Sequence, residues 1–137
     1  GGSMLLHPVV HLHVFNSRGE LYLQKRPAWK DIQPGRWDTA VGGHVDYGET
    51  VGEALRREVR EELGITDFVP GAVAVYPFRS ECEYELVHVF RTVYDGEVRP
   101  SGELDGGRFW SPDEIRENLG RGLFTPNFEG EVGLILG

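Results

Sequence analysis

The stretch from Gly43 to Ile65, G-H-V-D-Y-G-E-T-V-G-E-A-L-R-R-E-V-R-E-E-L-G-I, limits what this chain can fold into more than any other part of it. Thr50 followed by Glu53 is a capping-box start, because hydroxyl and carboxylate each satisfy a backbone N–H left without a partner at a helix N-terminus. The residues that follow are good helix formers with no proline, and Gly64 supplies the left-handed stop. A helix of three to four turns is predicted from about Thr50 to Gly64. At about 100° per residue, Val51, Ala54, Leu55, Val59 and Leu63 share one apolar arc, while Glu53, Arg56 and Arg60 face solvent.

Glu58 and Glu62 fall inside the apolar arc, with Glu61 on its edge. An ionised carboxylate buried without a partner costs several kcal/mol or takes up a proton, so a positive charge is needed there. Arg57 can pair with one acid, and a solvated Glu/Arg helix laced by i,i+4 pairs is the plain alternative. Converging carboxylates beside a glycine-rich loop are the oxygen ligands that hard divalent cations prefer, and the apolar phase of Glu58 and Glu62 favours this reading. Gly42-Gly43-His44 lets backbone approach a ligand, and the Gly42 carbonyl is available as a further oxygen ligand.

Upstream, Val10, Leu12 and Val14 alternate with His7, His11 and His13, which predicts a strand over Leu6–Phe15 with one core face. His11 and His13 read as half-exposed surface rather than metal ligands. Asn16 to Gly19 is a turn, Glu20 to Lys25 a hairpin partner, and Gln33 to Trp37 a turn into a short strand ending at Val41. Two further strands are expected over Ala72–Arg79 and Cys82–Tyr94, then a polar loop holding Glu103 and Asp105, and a short strand Arg108–Trp110. Ser111-Pro112-Asp113-Glu114 starts a helix running to about Leu119, and Thr125-Pro126 a last one packed by Phe128, Val132 and Leu134. Strands mixed with helices give an α/β or α+β domain.

At 137 residues the chain fits one domain, 4–137, with Gly1-Gly2-Ser3 reading as a vector-derived remnant before Met4. A formal charge of −8 argues against a nucleic-acid partner, whose phosphates demand a basic surface. It does not argue against a phosphate substrate, because metal ions bridging acids present positive charge. The absence of a long apolar run excludes a membrane-spanning helix, and a single cysteine, Cys82, suits a cytoplasmic location. A monomer or homodimer is expected.

Gly43, five residues, Glu49, seven residues, then Arg57-Glu58-Val59-x-Glu61-Glu62-x-Gly64-Ile65 resembles the Nudix box at every fixed position. The chain is therefore identified as a member of the Nudix superfamily. Leu6-His7, Phe15-Asn16, Arg26, Lys30, Pro34-Gly35-x-Trp37, Gly43-His44 and Glu83-x-Glu85 resemble the isopentenyl-diphosphate isomerases and their hydrolase relatives within it. The resemblance implies a mixed sheet sandwiched between helices and a hydrolase that cleaves a diphosphate bond in a small-molecule substrate with Mg²⁺ or Mn²⁺. It implies that Glu58, Glu62 and the Gly42 carbonyl bind metal and that Glu61 is a further ligand or activates water. Glu49 and Arg57 pair structurally, and Arg26 and Lys30 contact the diphosphate. The catalytic base is variable in the family: Glu103 is the first choice for it or for an outer metal ligand, and Glu83 and Glu85 compete. His7 and His44 would form a second metal site with them, which in the isomerases needs another upstream histidine that this chain does not contain. Those isomerases carry a cysteine where this chain has Gly42, and they depart from the box at Glu58. The alternatives are a residual isomerase and a non-catalytic nucleotide-sensing module. Trp29, Trp37, Tyr76, Phe78 and Phe124 are candidates to stack on a substrate ring.

Overall fold

The computed structural model describes residues 6–26, 35–79, 81, 83–101 and 106–136 of the chain. The alternating N-terminal stretch forms β1 (Leu6–Phe15), and β2 (Leu21–Lys25) returns against it, pairing Val14 with Tyr22 and Phe15 with Leu21. Asn16 shapes the turn between them, its side-chain oxygen accepting from the N–H groups of Arg18 and Glu20.

The short strand expected to end at Val41 is instead two strands with different partners. β3 (Trp37–Thr39) pairs with β2, the chain shifts at the fully buried Ala40, and β4 (Val41–His44) pairs with β1. β2 has only five residues, whereas β1 has ten and offers an open edge over Val9–Leu12. β5 (Gly71–Arg79), β6 (Tyr84–Val93) and β7 (Gly107–Trp110) complete a seven-stranded sheet of order β3-β2-β1-β6-β5, with β4 on β1 and β7 on β2. β1 and β6 run parallel, and the other pairings are antiparallel.

Three helices cover the two faces. α1 (Val51–Leu63) carries the capping box of Thr50 and Glu53 and ends at Gly64 with φ 68°. α2 (Pro112–Asn118) opens on a second capping box, Ser111 with Glu114, and α3 (Pro126–Ile135) on Thr125. Val10, Leu12 and Val14 of β1 pack with Leu55, Val59 and Leu63 of α1. Phe15, Leu21, Leu23 and Trp110 pack with Ile115 of α2 and with Phe128, Val132 and Ile135 of α3. Burying each such side chain contributes about 1.5–3 kcal/mol. The architecture is the α+β sandwich of a mixed sheet between helices.

Two expectations are corrected here. Leu134 is 46% exposed, because the stripe that α3 turns inward is Phe128, Glu131, Val132 and Ile135. His13 is fully buried and His11 partly so, because α3 covers the sheet face that alternation had left to solvent.

Candidate active site

The loop between β4 and α1 is held by Arg57. Its Nε donates to Glu49 Oε2 at 2.8 Å and its Nη2 to Glu49 Oε1 at 3.0 Å, a two-bond pair of the kind that fixes orientation as well as distance. Nη2 also donates to the His44 carbonyl at 3.0 Å, and Nη1 to Glu58 Oε1 at 2.8 Å. Hydrogen bonding to Arg57 holds the Glu49 carboxyl at about 2. Glu58 lies against the loop backbone: a Cβ on Gly43 would fall 2.2 Å from its Cδ. A side chain at position 43 would push the carboxyl end of Glu58 out of this place.

One turn further along α1, Glu62 points the same way into lower dielectric. Burial, reinforced by the charge of Glu58, pushes its carboxyl up to about 8, while the Gly42 N–H donates to it and pulls in the opposite direction. Asp38 adds to the upward push, and Oε2 of Glu62 is buried with no hydrogen-bond partner. A desolvated carboxyl facing other carboxyls with one oxygen unpaired fits a divalent cation, which supplies the missing positive charge. Glu58 and Glu62 are the acids of this cluster that would hold it, with the Gly42 backbone beside Glu62. Glu61 stands at the rim, its side chain 55% exposed and 3.5 Å from Arg57.

Arg26 leaves β2 next to this cluster and lies 3.6 Å from Asp38, which also accepts from the Thr125 hydroxyl at 2.8 Å. Lys30, Glu103 and Trp29 lie outside the described residues. The strand register sets His7 opposite Glu85 and His44 opposite Val9, and Glu83 hydrogen-bonds Glu85, so these side chains share one end of the sheet. Burial and then Glu83 raise the Glu85 carboxyl, while His44 and His11 draw it back. Among the described residues, no three acids, histidines or cysteines converge tightly enough to hold an ion as they stand. Phe124 is buried edge-on against Trp110 and tilted on Phe128, so it is core rather than a stacking platform. Trp37 joins the same stack, and Tyr76 and Phe78 line an open cleft of 190 Å³ beside Pro126, Asn127 and Gly130 of α3.

A second polar cluster, unforeseen from the sequence, lies on the α3 face. Glu131, 1% exposed, accepts from His11 Nδ1 at 2.6 Å, from His13 Nε2 at 2.8 Å and from the Tyr76 hydroxyl. Burial alone would raise this carboxyl; the donors, His11 first, outweigh it and hold the group at about 2. Burial likewise works against the charged form of His11, but the bond to Glu131 wins and its pKa is raised. The available signal was Glu131 itself, an acid in the stripe Phe128, Val132, Ile135.

A family model described as NUDIX domain matches residues 5–128. The chain is 32% identical over 126 residues to a protein of Listeria monocytogenes named as an uncharacterized Nudix hydrolase, covering 90% of this chain and 74% of that one. It is 36% identical over 100 residues to an isopentenyl-diphosphate Delta-isomerase of Burkholderia multivorans, covering 70% of this chain and 57% of the isomerase. The chain spans 74% of the length of that Listeria monocytogenes protein, and 47% and 60% of two further uncharacterized Nudix hydrolases, from Listeria innocua and Pseudomonas aeruginosa. A Deinococcus radiodurans crystal structure superposes with a TM-score of 0.82 at 26% identity, over 96% of this chain and 83% of that one. A MutT protein from Methanosarcina mazei superposes with a TM-score of 0.79 at 27% identity, over 97% and 94%.

Proposed function

The chain belongs to the Nudix family, and from that premise we propose that it is a hydrolase of phosphorus-containing acid anhydrides, dependent on Mg²⁺ or Mn²⁺, that cleaves a diphosphate bond in a nucleoside-diphosphate-linked or related small molecule. The observation that carries this reading is the inward-facing carboxyl of Glu62, one oxygen unpaired, beside Glu58, whose carboxyl end lies against Gly43. A divalent ion held by Glu58, Glu62 and the Gly42 carbonyl would neutralise the charge of the diphosphate and lower the pKa of water.

The chain's own residues supply the rest. Arg57 and Glu49 fix the loop against the helix so that the acids and the Gly42 carbonyl keep their spacing. Arg26, with Lys30, binds the diphosphate and offsets its repulsion of a nucleophile. Glu61 binds metal or orients the attacking water. Glu103, or Glu83 or Glu85 in its place, takes the proton as the water oxygen bonds to phosphorus and the bridging P–O bond breaks. The isomerase relatives suggest an alternative, proton transfer at carbon. Gly42 provides no acid or base where those enzymes have a cysteine, whereas the box acids are complete.

The test is a panel of nucleoside diphosphate conjugates, sugar nucleotides and isoprenoid diphosphates incubated with Mg²⁺ or Mn²⁺. Metal-dependent release of two phosphorylated products or of orthophosphate is expected. Double-bond migration without phosphate release would transfer the activity to the isomerase reading, and tight binding without turnover to a sensor.

A further inference from the structure

Gly42 and Gly43 are consecutive residues with no Cβ, so side-chain sterics leave their backbone a wide choice of conformation. A metal-binding carbonyl placed there needs restraint from outside. Two neighbours border it. On one side the Gly42 N–H is taken by Glu62. On the other, Gly42 stands opposite His11 across the β1–β4 ladder, and the His11 ring bounds the space on its side-chain face, Cδ2 and Nε2 at ordinary packing distances of 3.5 and 3.8 Å from where a Cβ would stand.

That ring is itself fixed. Its Nδ1 donates to Glu131, which is held at its second oxygen by His13 and again at the first by Tyr76. The imidazole cannot turn about its bond to Cβ without surrendering a short hydrogen bond to a buried carboxylate. Glu131 thus sits on α3, behind the sheet, and reaches the box loop through one ring.

We propose that Glu131 is a positioning residue for the hydrolytic site, setting the Gly42 carbonyl by locking His11 beneath it. The proposal rests on the reading of Gly42 as a metal ligand. Groups hydrogen-bonded to a metal ligand shift metal affinity by about ten- to hundredfold when removed, and a residue acting through a packed ring belongs at the lower end of that range.

The test uses the full chain with Glu131→Ala, Glu131→Gln, His11→Ala and Tyr76→Phe. The last removes one donor to Glu131 and leaves His11 and Gly42 untouched. Three readouts are taken: the backbone amide resonance of Gly42 without metal, the Mn²⁺ dissociation constant without substrate, and the melting temperature. Glu131→Ala and His11→Ala are expected to move the Gly42 resonance and to weaken Mn²⁺ binding by about tenfold. Glu131→Gln, whose amide oxygen still accepts from His11, recovers most of that loss. Tyr76→Phe lowers the melting temperature while leaving the other two readouts near those of the parent. If the Gly42 resonance and Mn²⁺ affinity simply follow the melting temperature across all four variants, or Glu131→Ala changes neither, the positioning role is overturned. A parent protein that binds no Mn²⁺ overturns the metal assignment of Gly42 and this proposal with it, an outcome distinct from normal parent binding that the variants leave unchanged.

Discussion

Glu62 on α1 and Glu131 on α3 are inward-facing carboxyls on opposite faces of the sheet, and their surroundings are opposed. Glu131 meets three donors and is held at about 2, whereas Glu62 meets one, the Gly42 N–H, against Glu58 and Asp38, keeps an unpaired oxygen and rises to about 8. Burial acts on both in the same direction, so the difference lies in the partners the chain supplies. Where donors are complete, an internal carboxylate fastens one element to another. Where they are withheld, the fold preserves a demand for a cation, and that demand marks a site.

The largest test of this contrast is Glu62→Gln. Turnover of whichever diphosphate the panel identifies should fall by about 100-fold or more, since a group acting on developing charge is lost. The melting temperature of the metal-free protein at pH 8 should stay level or rise, because a neutral isostere no longer has to be desolvated as an anion. A stability loss with activity intact would make Glu62 the structural member of the two. Glu131→Ala should do the reverse, costing about 3 kcal/mol in urea unfolding by stranding two histidines and a tyrosine. A variant as stable as the parent would remove the fastening role.

The smallest effect is on pH dependence. The Glu62 pKa is higher folded than unfolded, so its stabilising contribution is complete below 4.5 and is lost as pH rises through about 8. The Glu131 pKa is lower folded, so its contribution is present above 4.5 and lost as pH falls toward about 2. Metal-free protein should therefore lose about 2 kcal/mol between pH 5 and pH 6.5 on the Glu62 account, followed by urea midpoints. Glu62→Gln should flatten that slope, and Glu131→Gln should leave it in place; an identical slope in both variants would assign it to neither.

The difference between the two carboxyls also explains what was legible in advance. The capping box of Thr50, the helix start at Ser111-Pro112, the stop at Gly64 and the phase of Glu62 within the α1 stripe are relations between residues a few positions apart, and each holds in the fold. The burial of His11 and His13 depends on a carboxylate 120 and 118 positions away, which strand alternation cannot reveal. Glu131 obeys the same helical logic as Glu62 and was open to the same inference. The division into β3 and β4 depends on which neighbour offers an open edge, again a non-local matter. Phe124 shows the remaining limit: an aromatic residue has one composition signal whether it packs on Trp110 or on a substrate ring.

The parallel pairing of Leu6–Phe15 with Tyr84–Val93 carries a consequence for how the chain reaches its fold. β1 shares its longest ladder with β6, so during translation that edge of β1 stays unpaired until Val93 has cleared the ribosome tunnel, although β2, β4 and α1 are already available to its other edge and its apolar face. Closing so long a loop before the ladder repays it slows folding and lengthens the interval in which aggregation or chaperone capture competes.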